Sequence, residues 1–216
     1  MDPIQALDAR VASQHLLDHP FYQRWNAGEL SQAELAEYAR QYYHYALAFP
    51  TFLSSMHCHT EEIAVRQMLL ENLIEEERGD ENHPELWLRF CDALGLDRDE
   101  VRGSSPNEAT RNLIDTLRSL AREGALHEGL AGLYAYESQQ PSVAKTKVEG
   151  LARWFGITGD RDVQFFTVHM EADVVHSGTS RDLLRSLCDT PEKAAAAEAA
   201  AGRTCAALYQ FLDAVN

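Results

Sequence analysis

The chain has 216 residues, 45% of them apolar and 25% charged, with a mean hydropathy of −0.36, a balance that fits a globular fold with a buried core and excludes a disordered chain. Lysine and arginine total 19 against 34 acids, giving a formal charge of −15 and a pI near 4.9. Such a field repels phosphate backbones and anionic lipid, so neither nucleic acid nor membrane is expected as a partner. Only Lys145, Lys147 and Lys193 are lysines, and the first two lie two residues apart.

Cys58, Cys91, Cys188 and Cys205 show no close pairing, which favours a reducing compartment. The acidic opening MDPIQALDARVASQHLL lacks a basic start and an apolar run, and no stretch approaches the roughly 20 apolar residues of a membrane span. These features predict a cytoplasmic protein folded as a single domain over residues 1–216.

Alternating Val/Ile/Thr runs are absent, while Ala, Leu, Glu, Gln and Arg dominate and apolar residues recur at three and four, so the fold class is all-α. A first helix is expected over residues 4–18, ahead of Pro20, and a short one through Phe21, Tyr22 and Trp25 to Gly28. Ser31 and Glu34 form a capping box for a long aromatic helix, in which Pro50 is expected to produce a kink. A helix over about 60–78 ends at the breaker Gly79-Asp80-Glu81-Asn82, and Pro84 opens another that stops at Gly95. Further helices follow from Ser105-Pro106 to about 124, over 125–139, from Pro141 toward Phe155, over 160–188, and from Thr190-Pro191 through an alanine-rich end. Short loops join them into a bundle of about seven to nine helices.

The sharpest local pattern is His169-x3-Asp173-x2-His176. Steps of about 100° per residue place these three metal-ligand types within about 60° on one helix face. Phe165, Phe166 and Val168 put that face in an apolar context, where an unpaired carboxylate is costly without a cation. A satisfied core histidine beside surface charge is the simpler alternative.

In NLIEEERGDENHPELW, one of Glu75, Glu76 and Glu77 can face inward with His83, although Gly79 and Pro84 interrupt the helix between them. Taken alone, this acidic segment reads as a solvated face. Glu137 is an acid in an otherwise small and apolar helix, and Pro141 leaves its carbonyl without the usual donor. Together Glu76, His83, Glu137, His169, Asp173 and His176 supply carboxylates and imidazoles in equal number, a donor set suited to two iron or manganese ions. Ferritin-like bundles use two Glu-x-x-His motifs, which this chain lacks.

Lys145 and Lys147 lie about 200° apart on a helix, so at most one faces the interior, where desolvation makes an amine nucleophilic. Tyr38, Tyr42 and Tyr45 recur at helical spacing and read as core packing, and Cys58 has no acid–base partner by spacing.

The runs HPFYQRWNAGELSQAELAEYARQYY, NLIEEERGDENHPELWLRFCDALG, LYAYESQQPSVAKTKVEGL and FFTVHMEADVVH resemble the haem-oxygenase-like dimetal oxidases. Within them the chain is most similar to the branch typified by the chlamydial protein associating with death domains. The resemblance covers nearly the whole chain and matches all the family's ligand positions in type and order. It implies a helical bundle related to haem oxygenase, to the pyrroloquinoline-quinone biosynthesis oxidase and to TenA-type thiaminases, with Glu76, His83, Glu137, His169, Asp173 and His176 holding two non-haem metals, Fe/Fe or Mn/Fe.

The resemblance further implies synthesis of p-aminobenzoate for folate at the expense of the protein's own side chains. Tyr22 matches the sacrificed tyrosine, Lys147 the amino donor and Tyr136 a second tyrosine beside the metals, with dioxygen and an external reductant as co-substrates. It leaves a homodimer open. Two alternatives stand beside this expectation: a multiple-turnover oxidase of a small external substrate, and a protein-interaction module of the death-domain-associating type. Haem binding fits less well, since it leaves the carboxylates without a purpose.

Overall fold

A computed structural model describes residues 2–216, and the side chains of these except at positions 3, 171, 172 and 175. The all-α expectation holds, and there is no strand among the described residues. In chain order the helices are α1 (Pro3–Ala12), α2 (Pro20–Ala27), α3 (Gln32–Cys58), α4 (Ile63–Glu77), α5 (His83–Ala93), α6 (Arg98–Gly103), α7 (Glu108–Arg122), α8 (Leu126–Glu137), α9 (Gln140–Gly150), α10 (Asp160–Leu187) and α11 (Pro191–Ala214).

The eleven helices among the described residues exceed the expected seven to nine. One addition is α6, a short helix made possible because the Asp97 side chain accepts from the backbone N–H groups of Asp99 and Glu100. The first helix also stops sooner than expected, at Ala12 rather than residue 18. There the chain leaves the helical path, and the Leu16 N–H donates to Gln139 Oε1 at 2.8 Å, a buried bond spanning 123 positions that no local pattern encodes. The capping box at Ser31 and Glu34 is present, and α3 continues through Pro50.

Helix α8 is the central element: every residue from Gly129 to Glu137 is buried, and α7, α10 and α11 pack around it. Its small residues permit this, since a Cβ on Gly132 would stand 2.9 Å from Leu120 and 3.2 Å from the Thr204 hydroxyl. The result for the site is that Glu137, at the end of α8, is delivered to the interior rather than to solvent. Helix α10 packs on α5, α8 and α9 and α4 on α3 and α5, so side chains from α4, α5, α8 and α10 converge.

Candidate metal centre

Two triads of buried or nearly buried ligand-type side chains form where these helices meet. Glu76, His83 and His169 offer donor atoms all within 4.8 Å of one another, and so do Glu137, Asp173 and His176. All six expected positions are therefore brought together, in two groups.

The local causes are visible. After α4, Gly79 takes a left-handed φ of 75°, Asn82 Oδ1 caps α5 by accepting from the Glu85 N–H at 3.0 Å, and Pro84 occupies the first turn. This reversal sets His83 Nδ1 2.7 Å from Glu76 Oε2. On α10, His169 donates from Nδ1 to the Phe165 carbonyl at 2.5 Å, which fixes the tautomer and leaves Nε2 with its lone pair free. One helix serves both triads because His169 and His176, although on one face, lie about 10 Å apart along the axis.

The donor atoms fit a cation. Glu137 Oε2, Asp173 Oδ2 and His83 Nδ1 are buried without a hydrogen-bond partner, and the last of these is close to Glu76 without the geometry of a hydrogen bond. Buried polar atoms are rarely left this way, and convergence on cations, one in each triad, accounts for all three. Burial pushes the Glu137 and Asp173 carboxyls up, Glu137 being raised further by the Asp173 charge, while burial and then the His83 charge drive His169 well down. Burial also opposes charge on His176, but Asp173, Glu137 and Glu75 outweigh it and hold the imidazole up at about 9. A bound dication reverses this logic by favouring the ionised carboxylates and neutral imidazoles that act as ligands.

Three further residues belong to the site, one of them, Glu75, among the acids the sequence offered as facing inward. Asn72, one turn before Glu76 on α4, donates from Nδ2 to Glu137 Oε1 at 3.0 Å. Glu75 Oε2 lies 3.0 Å from His176 Nε2. Tyr42, read as packing, joins its hydroxyl to that of Tyr136 and lines a small cavity with Tyr136, Phe165, Glu76, His169 and Asp173. The cavity has about 10 Å³ in which a water-sized molecule can centre.

Beyond Tyr42 lies a second, aromatic chamber. The Lys147 Nζ sits 5.1 Å from the ring centre of Tyr42, 5.4 Å from those of Tyr38 and Phe166, and 5.9 Å from that of Tyr22. Lys147 is 2% exposed, with no hydrogen bond or ion pair among the described residues, and burial lowers its amine to about 7. Burial likewise raises the Tyr22 phenol. Lys145, by contrast, points outward at 66% side-chain exposure.

Residues 36–209 match the haem-oxygenase-like family described as iron-containing redox enzymes. The chain belongs to that family. A 4-aminobenzoate synthase of Nitrosomonas europaea is 40% identical to it, over 98% of this chain and 90% of the relative. Another, from Chlamydia muridarum, is 39% identical over 99% of this chain and 89% of its own length. A solved CADD-like protein of unknown function from Nostoc punctiforme shares the fold, with a TM-score of 0.80 at 20% identity over 99% of this chain and 95% of the other. As a member of this redox-enzyme family the chain is an oxidoreductase of haem-oxygenase-like fold, and the two triads are its candidate metal centre. Among the described residues, no helix is long and apolar enough to cross a membrane.

Proposed function

We propose that the protein makes p-aminobenzoate from its own Tyr22, with Lys147 as the source of nitrogen, at a dimetal centre held by Glu76, His83, Glu137, His169, Asp173 and His176. The observation that carries the proposal is the sealed pairing of a desolvated amine with a buried phenol, 5.9 Å from Nζ to ring centre, next to two metal-ligand triads. The 4-aminobenzoate synthases of N. europaea and C. muridarum, similar over nearly their whole length, support the same reading.

Iron, or manganese with iron, would be held by the two triads and would supply the oxidising power, with dioxygen and an external reductant as co-substrates. The chain's own residues do the rest. Tyr22 contributes a ring that already carries a hydroxyl para to a benzylic carbon. The ring carbon loses its oxygen as water on bonding to the Lys147 nitrogen, oxidation of the Nζ–Cε bond to an imine and hydrolysis leave the lysine stem as an aldehyde, and oxidation of the benzylic carbon to a carboxylate with scission of Cα–Cβ releases p-aminobenzoate, dioxygen being the oxidant. Burial lowers the Lys147 amine to about 7, so about half of it is unprotonated at pH 7 and most of it above pH 8, with its lone pair available to the ring. Tyr136, bonded to Tyr42, stands at the cavity beside the triads. The cavity beside the triads holds little more than one water-sized molecule, which supports a substrate supplied by the chain itself. Acting as a single domain in a reducing cytoplasm, the protein draws on dioxygen and reductant alone.

The test is a single-turnover experiment on the metal-loaded, reduced protein exposed to dioxygen, with product detection and intact mass. At most one p-aminobenzoate per chain is expected, with a matching mass loss, and nitrogen-15 from labelled lysine in the product. Tyr22→Phe is expected to make none, and a normal yield from it would sink the proposal.

A further inference from the structure

The two chambers meet at one side chain. The cavity against the triads is walled in part by Tyr42, Tyr136, Glu76, His169 and Asp173, while the Lys147 Nζ is enclosed by the rings of Tyr22, Tyr38, Tyr42 and Phe166. Tyr42 belongs to both. Its ring centre packs 4.2 Å from that of Trp87, at a tilt of 31°, and its hydroxyl is tied to that of Tyr136, so it is held at its face and at its tip.

A barrier at this place has a chemical use. A neutral amine is a nitrogen donor to dications, as an imidazole is, and a lysine carries it on a flexible stem. Lys147 has no hydrogen bond or ion pair among the described residues to hold it back, and burial leaves much of its amine neutral near pH 7. It also lies close to the first triad. Phe166, whose ring centre is 5.4 Å from Nζ, is one turn before His169 on α10. An amine that bound a metal would have its lone pair engaged and would be lost to the Tyr22 ring.

We propose that Tyr42 is a partition, a positioning residue whose ring keeps the Lys147 amine on the Tyr22 side and away from metal held by Glu76, His83 and His169. The inference rests on the proposed function for the identity of the metal centre and of the amino donor.

Cobalt(II), loaded into the full chain, reports its ligands through its visible absorption and needs no turnover. Wild type, Tyr42→Phe and Lys147→Met are expected to share one spectrum. Tyr42→Leu and Tyr42→Met, made in parallel so that folding of either suffices, are expected to show shifted bands that return to the wild-type position when Lys147→Met is added. Unshifted bands in the folded Tyr42→Leu or Tyr42→Met protein overturn the partition. So does a shift that persists in the double variant, since that shift would come from disturbed ligands and not from the amine. The single-turnover assay on wild type separates the two ideas: absence of p-aminobenzoate there defeats the proposed function, whereas product with unshifted bands defeats the partition alone.

Discussion

On the two sides of Tyr42 the same apolar core acts on ionisable groups to opposite ends. In the metal chamber, carboxylates and imidazoles converge, so neighbouring charge competes with desolvation or adds to it: His176 is held protonated to about 9 against its own burial because Asp173, Glu137 and Glu75 face it, whereas Asp173 pushes Glu137 further up and His83 pushes His169 further down. In the amine chamber, among the described residues, nothing of opposite charge faces Lys147. Aromatic rings surround it, cation–π attraction does not replace lost hydration, and the amine falls to about 7 through burial. One chamber is incomplete without a cation and the other discourages one, and that contrast is what allows a neutral amine and a metal centre to be neighbours.

The largest effect should come from dismantling the polar chamber. His169→Ala with Asp173→Ala removes one donor from each triad, and metal affinity should fall by more than about 100-fold, since even changes behind the ligands cost 10- to 100-fold. Metal analysis should show loading lost and the single-turnover assay no product. Thermal melts give an independent reading: at metal about 1,000 times above its Kd, wild type should gain about 4 kcal/mol, or about 10 °C, and the double variant almost nothing. An equal gain in both would mean that these residues do not hold the ions.

Lys147→Met breaks the aromatic chamber in the opposite direction and should stabilise the protein while abolishing p-aminobenzoate. The folded-state value of about 7 lies below the ordinary 10.5, so between these two the unfolded chain binds a proton that the folded chain lacks. Wild-type stability from this group therefore rises with pH across that window, and the burial penalty is complete below about pH 7. The advantage of Lys147→Met should be roughly 4 kcal/mol at pH 7 and should vanish above about pH 10.5. Urea melts at pH 7 and pH 10 check it, and a constant difference between the two would show that something other than the amine's protonation is responsible.

Much of the polar chamber was legible in the sequence because helical geometry is regular. His169, Asp173 and His176 declare a common face by spacing alone, and Glu137 stands out as an acid among small apolar residues. Their division into two triads was not legible, since it depends on the axial rise of α10 and on which helices pack beside each end. The pairing of Glu76 with His83 was hidden by the break at Gly79 and Pro84, the same break that folds one residue back onto the other. Tyr42 carried no local signal, because a tyrosine at helical spacing reads as packing whether or not its hydroxyl meets another across the core. The fold class followed from composition and periodicity, whereas the early end of α1 depends on Gln139, far along the chain.

A smaller effect is expected at Asn72, which touches the polar chamber only through Glu137. Asn72→Leu removes the 3.0 Å bond to Glu137 Oε1 but also a buried Asn72 carbonyl oxygen that has no partner, so folding stability should change by less than about 1 kcal/mol. Metal affinity at the Glu137 triad should still fall about 10-fold or somewhat more, because a carboxylate freed from its hydrogen bond is less well oriented. Titration of metal into the two proteins, with melts alongside, separates loss of orientation from loss of fold.

The smallest effect sharpens the comparison most directly. Lys145→Met makes the same chemical change as Lys147→Met two residues earlier on α9, but about 200° around the helix, where the side chain is 66% exposed and its partner is Glu149, one turn on at 3.9 Å. An exposed pair of that length contributes little, so stability should move by less than about 0.5 kcal/mol at any pH between 7 and 10, and p-aminobenzoate yield should be unchanged. Composition offers no way to tell these two lysines apart, and their local sequence differs by one register step. If Lys145→Met lowered the yield as Lys147→Met is expected to, burial among aromatic rings would not be what selects the donor. If only Lys147→Met does, the selection lies in desolvation, which the helix imposes by turning one amine inward and leaving the other in water.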